Sequence, residues 1–294
     1  MEKKEVQQKI TEKKENNEKV SEEEFYSIIR LVSPGTNLRA ALEGILNAGK
    51  GALIVVENEE LPPLIDGGFK VNSKFSPQKL IELSKMDGAM ILSKDMKKIN
   101  QVNVQLNPNI KLKTNETGTR HKAAERTARH ISGFVIAISE RKKEITVYYK
   151  NKKHVLRNTA ELLRKTSENI QILEKQRELF DNYLTHLNKL EIRGYISLNQ
   201  AIKIIQKGKV IQKIYEDIKK NLIELGTEGM LIKTRIKEIL TDVEKETNLI
   251  IKDYANMNYR KSIMILDFLS YEDLLDKEKI LEALDYEGKF ISPY

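Results

Sequence analysis

Apolar and polar positions alternate along this chain in two different rhythms. Residues 1–20 carry Lys, Glu, Gln and Asn without an apolar period and read as a frayed or disordered N-terminal arm. At Ser21-Glu22-Glu23-Glu24 a capping-box-like start precedes Phe25, Ile28, Ile29 and Val32 on one helical stripe, which Ser33-Pro34-Gly35 breaks. A second helix is predicted from about Thr36, its N-cap, to Asn47, ended by Gly49 and Gly51. Ala52-Leu53-Ile54-Val55-Val56 then reads as a strand buried on both faces. Pro62, Pro63 and Gly67-Gly68 read as loops, and Ser76-Pro77 opens a helix through about Ser84. Further strands are predicted at Gly88 to Ser93, Val102 to Leu106, Phe134 to Ser139 and Glu144 to Tyr149, with a helix opening near Thr117 to Thr119 and closing before Gly133. Strands alternating with helices give an α/β layered domain over residues 21–150.

From His154 onward the period is helical. Leu156, Leu162, Ile170, Leu173, Phe180 and Leu187 mark one long helix, interrupted at Gly194. Ala201, Ile204, Ile211, Ile218 and Leu222 mark a second, and Met230 to Tyr254 a third after the turn Gly226 to Gly229. Shorter helical pieces over Ser262 to Leu284 and an irregular tail at Phe290 to Tyr294 complete residues 151–294, an all-α bundle or oligomerisation domain.

Composition narrows the class of protein. No stretch approaches the ~20 apolar residues of a membrane span, and residues 1–20 hold no apolar signal core, so no membrane partner is expected. The absence of cysteine excludes disulfides and thiolate metal sites and suits a reducing cytoplasm. A formal net charge of +8 fits a polyanion partner or a generally lysine-rich composition, and the basic residues form no single run.

Two elements carry candidate chemistry. In Asp87-Gly88-Ala89 a carboxylate stands beside glycine before a buried strand, an oxygen ligand suited to Mg²⁺ or Mn²⁺; Asp-Gly is equally a common turn pair. Thr117-Gly118-Thr119 opens a helix whose free N–H groups favour an anion, and Arg120, His121 and Lys122 add cationic groups there. Cations in a first turn oppose the helix dipole, a local inconsistency that a bound anion resolves. Ser139 is either a ligand-facing hydroxyl or a turn residue. His130, His154 and His186 stand isolated and read as surface or packing residues. Walker A, Rossmann and HExxH patterns are absent.

Taken together, Ser33-Pro34-Gly35-Thr36, Asp66-Gly67-Gly68-Phe69, Met86-Asp87-Gly88-Ala89, Asn103-Val104-Gln105-Leu106, Glu116-Thr117-Gly118-Thr119-Arg120-His121, Ala124-Glu125-Arg126 and Glu224-Leu225-Gly226-Thr227-Glu228-Gly229 resemble the diadenylate cyclase family over about residues 25–285. The resemblance implies a mixed-sheet nucleotide-binding domain followed by a helical linker, and condensation of two ATP into cyclic di-AMP and two pyrophosphates. It implies Asp87 as metal ligand with Mg²⁺ or Mn²⁺, and Asp87, Arg120 and His121 as catalytic residues. ATP contacts are implied at Gly88, Ala89, Leu106, Thr119, Arg120, His121, Lys122, Ala123 and Ser139. A homo-oligomer, an octamer through the helical part, is also implied.

The chain departs from the family pattern at three places. Lys122 stands where an arginine is usual, supplying a point charge without a bidentate fork. Ala123 replaces a common threonine. No helix-hairpin-helix pattern follows Asp285, so DNA binding is not expected to carry over. An ATP-binding scaffold with a decayed site and a weak DNA-binding protein are the competing readings.

Overall fold

In the computed structural model, which describes residues 21–195 and 197–286, side-chain hydroxyls open the first three of the described helices. Ser21 accepts the Glu24 N–H (3.1 Å) before α1 (Glu22–Leu31), and Thr36 accepts the Arg39 N–H (3.1 Å) before α2 (Asn37–Asn47). Ser76 accepts the Lys79 N–H (3.3 Å) before α3 (Pro77–Leu83), with Pro77 in the first turn, where a missing N–H costs nothing. The arm at residues 1–20 and the tail at 290–294 lie outside the described residues.

The chain divides into two units. One reaches to Thr159 and takes in Gly226–Glu228; the other comprises Ala160–Leu225 and residues from Gly229. The first is built on a sheet of eight strands: β1 (Ala52–Val56), β2 (Ile65–Asp66), β3 (Phe69–Lys74), β4 (Ala89–Leu92), β5 (Lys98–Leu106), β6 (Phe134–Ser139), β7 (Glu144–Tyr149) and β8 (Lys152–Leu156). They run in the order β2–β5–β4–β1–β6–β7–β8, with β3 also on β5. β1 pairs parallel to β4 and antiparallel to β6, so the sheet is mixed. Its β-branched run lies at the centre, with Ile54 and Val55 fully buried. The helix α4 (Thr119–His130) lays Ala124 and Ala128 against Leu53, Val55, Ile91 and Val135. Each fully buried aliphatic side chain there contributes about 1.5–3 kcal/mol.

Several elements differ from the sequence-based expectation. Pro62 and Pro63, read as loop, form a short 3-10 turn (Pro62–Leu64), and the strands β2 and β3, where no strand is predicted, flank Gly67 and Gly68 at positive φ. β3 is largely exposed, so its sequence lacks the apolar run that marks a strand; backbone pairing with β5 creates it. β5 itself starts at Lys98, earlier than Val102, because polar residues at its start pair with β3 and β4. Residues 152–156, read as the onset of the helical rhythm at His154, form β8, joined to β7 by a turn with Lys150 at φ +52.

The second unit is helical: α5 (Thr159–Ile192), α6 (Leu198–Leu225), α7 (Met230–Leu240), α8 (Val243–Tyr254), α9 (Tyr259–Phe268), α10 (Tyr271–Leu275) and α11 (Lys277–Ala283). The single helix expected over Met230 to Tyr254 is two, broken where Asp242 takes a left-handed φ of +61. Phe180, Leu187, Ile205, Ile211, Ile218, Ile251 and Leu266 belong to one core. Gly208 of α6 faces Thr247 of α8 so closely that a Cβ would stand 2.9 Å from Thr247 Cγ2. Among the described residues no helix is long and apolar enough to cross a membrane.

Candidate active site

A cavity of about 630 Å³ opens in the first unit, and three backbone segments converge on it. Asp66, Gly67 and Gly68 come from the end of β2, Asp87, Gly88 and Ala89 from the start of β4, and Asn103 to Leu106 from the end of β5. The close approach depends on glycine. At Gly88 (φ +84) a Cβ would lie 2.8 Å from the Asn103 carbonyl carbon and 2.9 Å from the Val104 nitrogen. At Gly68 (φ +78) it would lie 2.7 Å from the Val102 oxygen. L-residues take up such φ values at a cost, and neither site has space for a side chain.

β5 is bulged opposite β4. Ala89 pairs with Val104 but Ile91 pairs with Gln101, and Asn103 at φ +56 takes up the extra length. Bulges of this kind re-aim side chains. They leave Asn103 and Gln105 on the cavity wall, and β5 runs on past the start of β4 to Leu106. The Asn107 N–H bonds to the Leu64 oxygen (2.9 Å). Successive N–H groups of a strand point to opposite sides, so that of Leu106 faces where β4 has not yet begun.

The fourth wall is the start of α4, supplying Thr119, Arg120 and Ala123. Gly118 caps this helix without a side-chain bond. First-turn N–H groups therefore remain available to an anion. The Arg120 guanidinium sits over Gly51, where a Cβ would overlap it, and the Ile138 carbonyl lies beside the same point. The rest of α4 holds the preceding segment in place. Arg126 Nε donates to the Leu112 oxygen (3.0 Å), Arg129 Nη1 to the Lys113 oxygen (2.6 Å), and Thr114 donates to Glu125. His130 Nδ1 accepts the Asn109 N–H (3.2 Å), a packing role.

His121 lies outside the cavity lining, half-buried and edge-on to Tyr148 with ring centroids 6.4 Å apart. Burial holds its imidazole below the ordinary histidine value, while nearby Glu116 pulls the other way. Glu116 accepts from Tyr148 Oη (2.9 Å) and pairs with Lys153 (2.5 Å). Burial alone would raise its carboxyl, but these two partners hold it below the ordinary range. Burial, and then Glu116, push the Tyr148 hydroxyl well up.

Of the residues singled out from sequence, Asp87, Gly88, Ala89, Leu106, Thr119, Arg120 and Ala123 meet at the cavity; His121, Lys122 and Ser139 are not part of its lining. Ser139 Oγ accepts the Lys142 N–H (3.2 Å) in the β6–β7 turn. Asp66, Asn103, Gln105 and Gly51 were not singled out as site residues. Asp66, Asn103 and Gln105 stand within the stretches that carry the family resemblance, which is the signal that could have pointed to them. Among the described residues no cluster of three or more His, Asp or Glu side chains could cage a metal. Asp87 and Asp66 on one cavity suit a divalent cation that arrives on phosphate oxygens, since Mg²⁺ keeps one or two carboxylates and takes its remaining ligands from substrate and water.

A nucleotide-sized cavity on a mixed sheet, walled by a helix N-terminus and a lone arginine, defines a nucleotide-binding protein joined to a helical unit. Comparison with known proteins agrees on both parts. Residues 39–153 match the DAC family, described as the DisA bacterial checkpoint controller nucleotide-binding region, and residues 156–291 match the DisA bacterial checkpoint controller linker region. The DNA integrity scanning protein DisA of Clostridium perfringens is 42% identical over 273 residues, covering 92% of this chain and 77% of the relative. That of Clostridium acetobutylicum is 40% identical over 262 residues, 88% of this chain and 73% of the relative. That of Clostridium botulinum is 38% identical over 270 residues, 91% and 76%. The chain belongs to the DisA family, and its first unit is a diadenylate cyclase domain.

Proposed function

We propose that this protein joins two ATP molecules into cyclic di-AMP with release of two pyrophosphates, and that the cavity bearing Asp87 and Arg120 holds one of the two nucleotides. The convergence of Asp87, Leu106, Thr119 and Arg120 on one volume of about 630 Å³ carries this reading, a size in the range of small-ligand sites. The free N–H groups at the start of α4 receive phosphate, and Arg120 offsets its charge. The Leu106 backbone, facing away from β2, is placed to meet a flat base. Phosphoryl chemistry of this type needs positioning and charge neutralisation more than covalent help. Glycine at 88 brings β5 close to Asp87, so the carboxylate and the Leu106 backbone reach one nucleotide from one strand pair while α4 receives its phosphate. His121, Lys122 and Ser139 enter the proposal as phosphate contacts from beside the cavity.

Asp87 is the residue that would hold Mg²⁺ or Mn²⁺, which would supply charge neutralisation at phosphate and a lowered pKa for the attacking ribose hydroxyl. Each nucleotide is both attacker and target, so two copies of the chain present their cavities face to face. We take the assembly to be a homo-oligomer, an octamer through the helical unit, and the setting to be cytoplasmic, which the supply of ATP and the cysteine-free composition support. No DNA-binding role is proposed.

The test is incubation of the purified chain with ATP and Mn²⁺ or Mg²⁺, with the product identified by mass. Cyclic di-AMP formed only with the metal is expected. Bound ATP without product, in an intact oligomer, would overturn the proposal and leave a nucleotide-binding scaffold.

A further inference from the structure

A second cavity, of about 690 Å³, opens elsewhere in the first unit and has the opposite character. Its floor is apolar: Leu31 at the end of α1, Leu38 of α2, Phe75 and Met96. Leu31 is 36% exposed, although α1 otherwise turns apolar residues inward. Met96 sits in the turn between β4 and β5 at φ +56, a left-handed conformation that methionine seldom adopts, and is half-buried there.

The rim is cationic. Arg30, Lys74 and Lys98 line it, and none of their side chains makes an ion pair or hydrogen bond among the described residues. Asp95 is the acidic group of the lining, and it is already engaged. It accepts from Ser93 Oγ (2.6 Å) and from the Lys97 N–H (3.1 Å), and Lys97 Nζ stands 3.8 Å away. Three free cations thus surround an apolar hollow whose one carboxylate has its own lysine. Like charges gathered round an apolar floor repel one another unless an anion lies between them.

We propose that this cavity binds a small amphipathic anion, an aromatic or branched apolar body carrying a carboxylate, sulfonate or phosphate. The volume falls in the range of small-ligand sites, and an apolar wall with few convergent charged groups is their usual make-up. The body lies on Leu31, Phe75 and Met96, and the anionic group meets Arg30, Lys74 and Lys98. The lining also takes in Thr36, Asn37 and Leu38, the N-cap and first turn of α2, whose free N–H groups add to the partners an anion finds here. The cavity also lies at the far end of the strand pair that carries the nucleotide site. The turn Ser93 to Lys98 joins β4 to β5, and their opposite ends hold Asp87 and Leu106.

The experiment is a fluorescence titration of the full chain with 8-anilino-1-naphthalenesulfonate, beside the uncharged N-phenyl-1-naphthylamine, each with and without saturating ATP. Saturable sulfonate binding that ATP does not displace is expected. The double charge reversal Lys74→Glu with Lys98→Glu should weaken the sulfonate by at least about tenfold, as loss of charge-assisted contacts implies, and leave the uncharged probe unaffected. Leu31→Lys, at a partly exposed position that folding tolerates, should weaken both probes. Equal sulfonate affinity in the parent and the charge-reversed chain would overturn the proposal. So would displacement by ATP, or absence of saturable binding because a second copy of the chain covers the cavity.

Discussion

The guanidinium of Arg120 occupies the space that a side chain on Gly51 would fill. Gly51 stands just before β1 and Arg120 in the first turn of α4, so the glycine fixes where the cavity's cation points. Gly51→Ala should therefore act on the site more than on the fold. We expect kcat/KM for ATP to fall by about 10- to 100-fold, the loss of one charge-assisted hydrogen bond at about 1.5–3 kcal/mol. Thermal stability should change little. Steady-state kinetics beside a melting curve checks both, and full activity in the variant would show that Arg120 needs no such seat.

Asp87→Asn keeps the size of the side chain and removes its charge. Product formation should drop below detection, while binding of ATP without metal and the oligomeric state stay as in the parent. Cyclic di-AMP made at the parent rate would remove Asp87 from the metal-binding role.

At Gly88 the backbone is left-handed and β5 lies within 3 Å of where a Cβ would sit. Gly88→Ala combines a left-handed conformation, about 1–2 kcal/mol, with overpacking against main chain, about 1–3 kcal/mol. A melting temperature lower by about 3–8 °C is expected for a chain of this size. Calorimetry would read it, and an unchanged midpoint would mean that β4 and β5 part freely here.

Protonation of His121 couples fold to pH. Burial holds its folded value below the ordinary 6.5, so below pH 6.5 the unfolded chain takes up a proton that the folded chain refuses. Stability from this group is complete above 6.5 and declines as pH falls towards the folded value. Glu116, held below its ordinary 4.5 by Lys153 and Tyr148 against the effect of burial, adds a further decline as pH falls below 4.5. Glu116→Gln removes the charge that draws the His121 value upward, so histidine NMR should show His121 titrating at still lower pH. A rise in that value would mean that Glu116 does not face the ring.

The sequence revealed most where the physics is local. Ser21, Thr36 and Ser76 announce helix starts because a hydroxyl satisfies a nearby N–H whatever lies further off. The central strands β1, β4 and β6 are legible because short, wholly apolar runs stand between turn residues. β2, β3 and β8 were missed for the converse reason: they are short or exposed, and their identity comes from a neighbouring strand. The break at Asp242 was missed because the apolar period runs on through it while the backbone does not.

The site divides the same way. Asp87 with its glycine, and the anion-ready start of α4, could be seen as residue types in a local setting. That Asp66, Asn103 and Gln105 share their cavity could not, because a bulge at Asn103 and two glycines pressed on β5 bring them there. The sequence by itself determined the helix caps, the buried strands and the chemical character of the site, since these depend on neighbours a few residues apart. Only the tertiary structure decided which strands form the edges, where Arg120 rests and how α4 clasps the segment before it, because pairing and close packing between distant segments set them.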